Sequence, residues 1–412
     1  MTEWKESKIK DFAEVKGGKR LPKGKQLTSV PTKHPYIRIR DLGKSKYLEL
    51  NPEIEFVDDE TQLSIARYIV NAGDILISVV GTIGLIGIVG ESLDKANQTE
   101  NCDKIINCTG IEPEYLYYYL ISPFGQEEIK RGTVGAVQPK LPLKNVLDIN
   151  VKYPAIAEQR KIVEILKNVD EKISINERIN NNLEQQIEAL LLELINDDNT
   201  SEVALGDYLY IKGRIGWKGL KKSEYLSKSG YRIINGETLT KSGIDWNKAG
   251  YISAERYEES PEIMLKVSDI LLSKDGTIGK IGYVDSLDLP TSVASGIFVI
   301  RNNQPNIIST TFIYYLLKSQ LFKAFIVART EGSVIPHLYQ KDFMEFKFPL
   351  PAPDKKMTFE EIAEPMFSQI ISNLNENKKL TSLRDVILPK LMSGELDVCL
   401  LYTSDAADDL IG

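Results

Sequence analysis

The residues with the clearest chemical meaning are cations. Residues 16–40 hold Lys16, Lys19, Arg20, Lys23, Lys25, Lys33, Arg38 and Arg40 and no acid. Residues 212–232 hold Lys212, Arg214, Lys218, Lys221, Lys222, Lys228 and Arg232 against the single acid Glu224. Clustered lysine and arginine in a glycine-containing loop suit phosphate contacts to a nucleic acid. The ordinary alternative is a solvated charged face. Recurrence of the cluster within an otherwise acidic chain favours phosphate contact.

Other chemistry has little to work with. There are two histidines, His34 and His337, too few for histidine-based acid–base catalysis. The three cysteines lack metal-ligand spacing. A phosphate-binding P-loop is absent, because Lys280 is followed by Ile281 rather than Ser or Thr. An amino-methyltransferase loop would need Asn/Asp-Pro-Pro-aromatic, and Asn51-Pro52-Glu53 fails that pattern. A metal nuclease would need clustered carboxylates. Asp58-Asp59-Glu60 is the nearest candidate, and the second half of the chain does not repeat it.

The elements that position the cations come in two copies. Asp74-Ile75-Leu76-Ile77-Ser78 with Gly81-Thr82-Ile83-Gly84 recurs 195 residues later as Asp269-Ile270-Leu271-Leu272-Ser273 with Gly276-Thr277-Ile278-Gly279. Asp11–Gly17 matches Asp207–Gly213 at 196, and Val137, Pro139, Leu141 and Lys144 match Val334, Pro336, Leu338 and Lys341 at 197. Each repeat opens with short apolar runs and glycine turns, which predict strands. A helical stretch follows over Pro113–Arg131 in one copy and Thr310–Arg329 in the other.

Two further loops are open to two readings. The Gly-Thr-Ile-Gly segments read as hairpin turns. They are either purely structural or carry Thr82, Lys274 and Thr277 to a nucleic acid. The segment 133–140 and its counterpart 330–337 either close the domain or present Gln138, Lys140 and His337, with the nearby Tyr339, to base edges or phosphates.

The second part of each repeat is helical. Between Glu158 and Ile195 there is no Pro or Gly, and apolar residues from Ile162 to Leu194 keep a 4-3 spacing broken only by Asn176 and Asn180. The same positions in the second copy run from Phe359 to Leu391, with Asn373 and Asn377 at the matching places. A sustained heptad seam predicts a coiled coil, and polar residues inside it select register and partner. The matched asparagines favour antiparallel pairing within the chain over the alternative of two ordinary amphipathic helices, each packed on its own domain. Arg384 interrupts the second seam, and Pro365 predicts a kink or the true helix start. A helix of ~35 residues is ~50 Å long, about one and a half turns of DNA at ~34 Å per turn.

Composition is that of an ordinary globular protein, with 42% hydrophobic and 26% charged residues among 412. No apolar run is long enough for a membrane helix, and Met1–Lys5 lacks the apolar core of a signal peptide. Sparse cysteine fits a reducing cytoplasm. Residues 399–412 read as a non-native tail, the alternative being a genuine frayed terminus. Its three aspartates account for three of the seven net negative charges, leaving −4.

With these motifs in place, the chain resembles the specificity subunits of Type I restriction-modification systems. The resemblance covers about residues 1–398. It rests on the Asp-Ile-Leu-Ile-Ser…Gly-Thr-Ile-Gly run, on Tyr153-Pro154-Ala155-Ile156-Ala157-Glu158-Gln159-Arg160-Lys161-Ile162-Val163, and on Leu388-Pro389-Lys390-Leu391-Met392-Ser393-Gly394-Glu395-Leu396.

It implies an α+β architecture. Mixed target-recognition domains at 1–154 and 203–350 alternate with spacer helices at 155–202 and 351–398, which form an antiparallel intramolecular coiled coil. It implies a non-catalytic, sequence-specific subunit in a bacterial or archaeal cytoplasm, serving phage defence. That subunit binds a two-part target in double-stranded DNA. Two modification subunits carry S-adenosylmethionine, and restriction/translocase subunits, where present, bring ATP and Mg. This chain holds no cofactor or metal of its own. The second copy replaces Glu158-Gln159-Arg160 with Lys355-Lys356-Met357, which implies a different docking of the second modification subunit. A duplicated coiled-coil scaffold and a standalone DNA-binding regulator are the competing expectations.

Overall fold

A computed structural model describes residues 4–214, 219–240, 243–330, 337–396 and 398. The chain divides into two compact units. Unit 1 comprises 1–174 and 377–412, and unit 2 comprises 175–376.

In unit 1 the short apolar runs become strands β1 (Lys5–Lys8), β2 (Glu14–Gly17), β3 (Pro35–Ile37), β4 (Tyr47–Leu48) and β5 (Glu55–Phe56). Helix α1 (Asp59–Ile65) follows, then β6 (Ile75–Ser78), β7 (Ile86–Val89), β8 (Asn97–Gln98) and β9 (Cys102–Ile106). The unit continues with α2 (Pro113–Ile121), α3 (Pro123–Gly132), α4 (Leu143–Leu147) and β10 (Asn150–Tyr153). The main sheet has the order β2-β9-β6-β7-β4, with a second sheet β5-β3-β8 and the pair β1-β10. Ile75, Ile77 and Ile105 on one face of the main sheet pack against Tyr115, Leu116, Tyr118 and Ile129 of α2 and α3.

The long helix α5 (Ile156–Ile195) leads into unit 2, where the pattern repeats. Its strands are β11 (Thr200–Ala204), β12 (Leu209–Gly213), β13 (Tyr231–Ile234), β14 (Leu239–Thr240), β15 (Gly243–Ile244) and β16 (Gly250–Ile252). After α6 (Ala254–Glu258) come β17 (Ile270–Ser273), β18 (Ile281–Tyr283), β19 (Thr291–Val293) and β20 (Ile297–Asn302). Helices α7 (Thr310–Lys318), α8 (Gln320–Thr330) and α9 (Gln340–Met344) precede β21 (Lys347–Pro351) and the long α10 (Pro353–Ser393). The sheet order β12-β20-β17-β18 reproduces β2-β9-β6-β7 strand for strand. The antiparallel pairs β6–β7 and β17–β18 are the two expected hairpins.

Two expectations change. The helical stretch 113–131 is two helices rather than one, and so is its counterpart. Ser122 sits in extended backbone before Pro123, caps α3 through its hydroxyl and ends α2. A residue before proline is pushed out of the helical region, and proline is well placed at a helix's first turn. In the second copy Ser319 is extended in the same way between α7 and α8.

Pro365 does not start the helix: α10 runs through it from Pro353 to Ser393. The ring is exposed, while Phe359, Ala363, Phe367 and Ile370 on the opposite face are buried in the core of unit 2. That packing offsets a proline penalty of roughly 3 kcal/mol.

The halves of the long helices belong to different units. In unit 1, Asp170 of α5 meets Arg384 of α10 at 3.1 Å, and Asn377 donates to the Ile173 carbonyl. In unit 2, Asn373 donates to Asn180 at 2.7 Å, and Asn176 donates to Glu376 at 2.7 Å. No helix among the described residues is long and apolar enough to cross a membrane.

Candidate nucleic-acid interface

The Gly-Thr-Ile-Gly turns are built from one hydrogen-bond pattern used twice. Ser78 donates its hydroxyl to the Thr82 carbonyl at 2.6 Å and accepts from the Leu85 amide at 2.8 Å. Ser273 donates to the Thr277 carbonyl at 2.7 Å and accepts from the Lys280 amide at 2.9 Å. Gly81, Gly84, Gly276 and Gly279 all have positive φ, between 65° and 90°, which a β-carbon resists. The aspartate opening each motif is equally structural. Asp74 caps the Asn71 amide at 2.9 Å and faces Lys104 at 3.5 Å. Asp269 caps the Lys266 amide at 2.7 Å and takes two bonds from Arg301. These motifs hold the turn closed, and Thr82 and Thr277 are exposed at its tip.

The closing loop is stitched to that turn. In unit 1 Val80 bridges to Lys140, Leu141 donates to the Val79 carbonyl at 2.9 Å, and Val134 bridges to Lys140. In unit 2 Asp275 bridges to His337, and Leu338 donates to the Lys274 carbonyl at 3.0 Å. Turn and loop therefore form one rim at the same place in both units. In unit 1 the rim exposes Val137 (93%), Gln138 and Lys140. In unit 2 it exposes Tyr339 (63%) beside His337, whose Nδ1 is hydrogen-bonded to Asp275. Residues 331–336 and Lys218, both part of the expected site, lie outside the described residues.

The basic segments are less free than their composition implies. In unit 1 Lys16 pairs with Glu14, Arg20 with Glu100 at 2.7 Å, and Lys25 with Asp58 and Glu60. Arg38 and Arg40 share Glu55. Arg38–Arg40 runs beside the turn, since a β-carbon on Gly81 would lie 3.5 Å from Ile39. Lys19 sits 5.8 Å from the Tyr68 ring centroid. Lys23 and Lys33 are exposed, with no ion pair among the described residues.

Unit 2 departs further from expectation. Arg214 is 3% exposed and donates to the Val293 carbonyl at 3.1 Å, and burial pulls its pKa down. Arg232 is buried, grips Asp288 with both terminal nitrogens and covers the Trp246 ring. Lys274 lies over Phe298 and reaches Asp275 at 3.2 Å. Arg214, Arg232 and Lys274 are thus committed inside the unit and stand back from a solvent-facing phosphate surface. Lys212 lies near Tyr210, while Lys221, Lys222 and Lys228 are exposed.

Residue types alone did not reveal two participants. Asp275 holds His337, and only the pairing of turn with loop brings them together. Asp103 of β9 is 5% exposed, and its Oδ2 has no hydrogen-bond partner among the described residues. Burial pushes its pKa up to about 6. A β-carbon on Gly17 would lie 3.3 Å from its carboxylate, so this charge sits beneath the start of the first basic segment. Among the described residues no group of histidine, cysteine or carboxylate side chains is arranged to hold a metal.

Comparison with known proteins gives the family. The family described as the Type I restriction modification DNA specificity domain matches residues 1–185 and again 198–383. The MjaIX specificity subunit of Methanocaldococcus jannaschii is 25% identical, over 96% of this chain and 94% of that protein. The HindI specificity subunit of Haemophilus influenzae is 22% identical, over 96% of this chain and 100% of that protein. The crystal structure of the S subunit of a Type I system from M. genitalium superimposes with a TM-score of 0.60. It shares 18% identity and covers 95% of this chain and 96% of that one. The two matched segments coincide with the two copies of the sheet, turn and rim. The chain therefore belongs to the Type I restriction-modification DNA specificity family, the non-catalytic DNA-recognition components of these enzymes.

Proposed function

We propose that each unit reads one half of a two-part DNA target through its rim. The carrying observation is that one serine-pinned turn, bridged to one closing loop, recurs in both units with different exposed side chains. A constant frame with variable tips suits reading two different short sequences. Exposed lysines (Lys19, Lys23, Lys33, Lys221, Lys222 and Lys228) supply phosphate contacts that set position, and rim residues supply base contacts.

The long helices α5 and α10 form an antiparallel coiled coil that fixes the spacing between the half-sites. The Asn180–Asn373 bond and the Asp170–Arg384 pair support that register. The chain itself holds no cofactor. Two modification subunits dock on it and bring S-adenosylmethionine, and restriction subunits, where present, bring ATP and Mg. The complex acts in the cytoplasm.

The test is DNA binding by the chain purified with its modification subunit, measured across a salt series. Steep salt dependence and co-purification are expected. Salt-independent binding, or no DNA binding by an intact complex, contradicts the proposal.

A further inference from the structure

We propose that His337 is a base-reading residue of unit 2, with Asp275 and Tyr339 as its positioning residues. The inference rests on the reading of unit 2 as a half-site reader and assigns that role to one nitrogen atom.

Asp275 belongs to the turn and His337 to the closing loop, and the backbone bridge between them sets their side chains side by side. The Asp275 carboxylate accepts from His337 Nδ1 and also takes Lys274 Nζ at 3.2 Å. Tyr339 packs edge-on against the imidazole, with ring centroids 4.6 Å apart at 68°. The His337 side chain remains 33% exposed, and Nε2 has no partner among the described residues.

A histidine whose Nδ1–H is held by a carboxylate has its tautomer and ring orientation fixed. Nε2 is then an acceptor pointing away from the carboxylate. In the major groove the exocyclic amino groups of adenine and cytosine are the donors that fit an acceptor, while guanine and thymine offer acceptors there. His337 therefore selects an amino-bearing base at one position of its half-site.

Unit 1 places Val80, Lys140 and Pro142 at the corresponding positions. Its rim offers a donor where the rim of unit 2 offers an acceptor. The two halves of the target are thus read with opposite hydrogen-bond polarity at this point.

The experiment is selection of bound duplexes from a randomised pool by the complex with its modification subunit. The wild type is compared with His337→Phe, which keeps the ring and loses the nitrogens. The expected result is about tenfold weaker discrimination at a single position of one half-site, with the other half-site unchanged. Unchanged discrimination at every position by a variant that still selects both half-sites overturns the inference and leaves the half-site reading intact. A wild type that selects no two-part sequence overturns both.

Should His337→Phe not fold, Asp275→Ala and Asp275→Asn carry the test. Asp275→Ala relaxes the same position by freeing the tautomer. Asp275→Asn retains the preference, because its carbonyl still accepts from Nδ1. Equal selectivity in the two variants overturns the inference.

Discussion

Ser78 and Ser273 show how a side chain of chemical appearance serves as a fastener. Each hydroxyl makes two hydrogen bonds that hold the turn shut. Ser78→Ala removes both and strands two backbone groups, at a cost of about 1–3 kcal/mol. Urea denaturation should register that loss, with a similar loss for Ser273→Ala.

Asp103 predicts a pH effect. Its folded pKa of about 6 lies above the ordinary 3.8, so between those values the folded state holds more protons than the unfolded state. Its contribution to stability therefore falls as pH rises through that window and is flat above it. Asp103→Asn should be more stable than wild type at about pH 8. The advantage should shrink by on the order of 1 kcal/mol at about pH 5, as measured by denaturation at both values.

The cations sort by burial. Lys23→Ala with Lys33→Ala should lower the slope of log affinity against log salt by about 0.9 for each phosphate that is no longer neutralised. Lys19→Ala with Arg20→Ala should weaken binding by less, because Arg20 is already paired with Glu100. Arg232→Ala should destabilise unit 2 and leave the salt slope unchanged. The sequence could place these cations in a segment. It could not show which acids fold back onto them, because Glu100, Glu55 and Asp288 come from other strands and loops.

At the scale of elements, the hairpins and long helices were legible because their signals are local. Glycines at fixed spacing specify a turn, and a sustained 4-3 pattern specifies a helix. Of the four matched asparagines, Asn373 donates to Asn180 at 2.7 Å. Asn373→Ala leaves Asn180 without this partner and should cost about 1–3 kcal/mol. Replacing both by Leu should cost less or raise the melting temperature, since an apolar pair carries no desolvation penalty.

The break at Ser122 and the run through Pro365 depart from the sequence pattern for opposite reasons. Local backbone chemistry overrides periodicity at the first, and core burial overrides local chemistry at the second. Gln159 belongs to the run 153–163 that carried the resemblance in the sequence. In the structure it bonds the Glu112 amide and the Pro154 carbonyl, so that part of the landmark is internal glue. In the second copy Glu360 takes over by bonding the Ser309 amide at 2.8 Å.

For the whole molecule, a net charge of −7 does not oppose DNA binding. Charge acts where it is exposed, and each unit shows exposed lysines together with a rim whose frame is constant and whose tips differ. Duplication explains the architecture: one fold is used twice, as the two matches to the family show. The rim tips carry no chemical motif, so the target itself is not written in any recognisable run of residues.

The most direct measurement is methylation-sensitive sequencing of a host that expresses the chain with its cognate modification subunit. The account predicts one new methylated motif made of two short specified blocks around an unspecified gap. A single uninterrupted motif, or no motif from a complex that assembles, would contradict it.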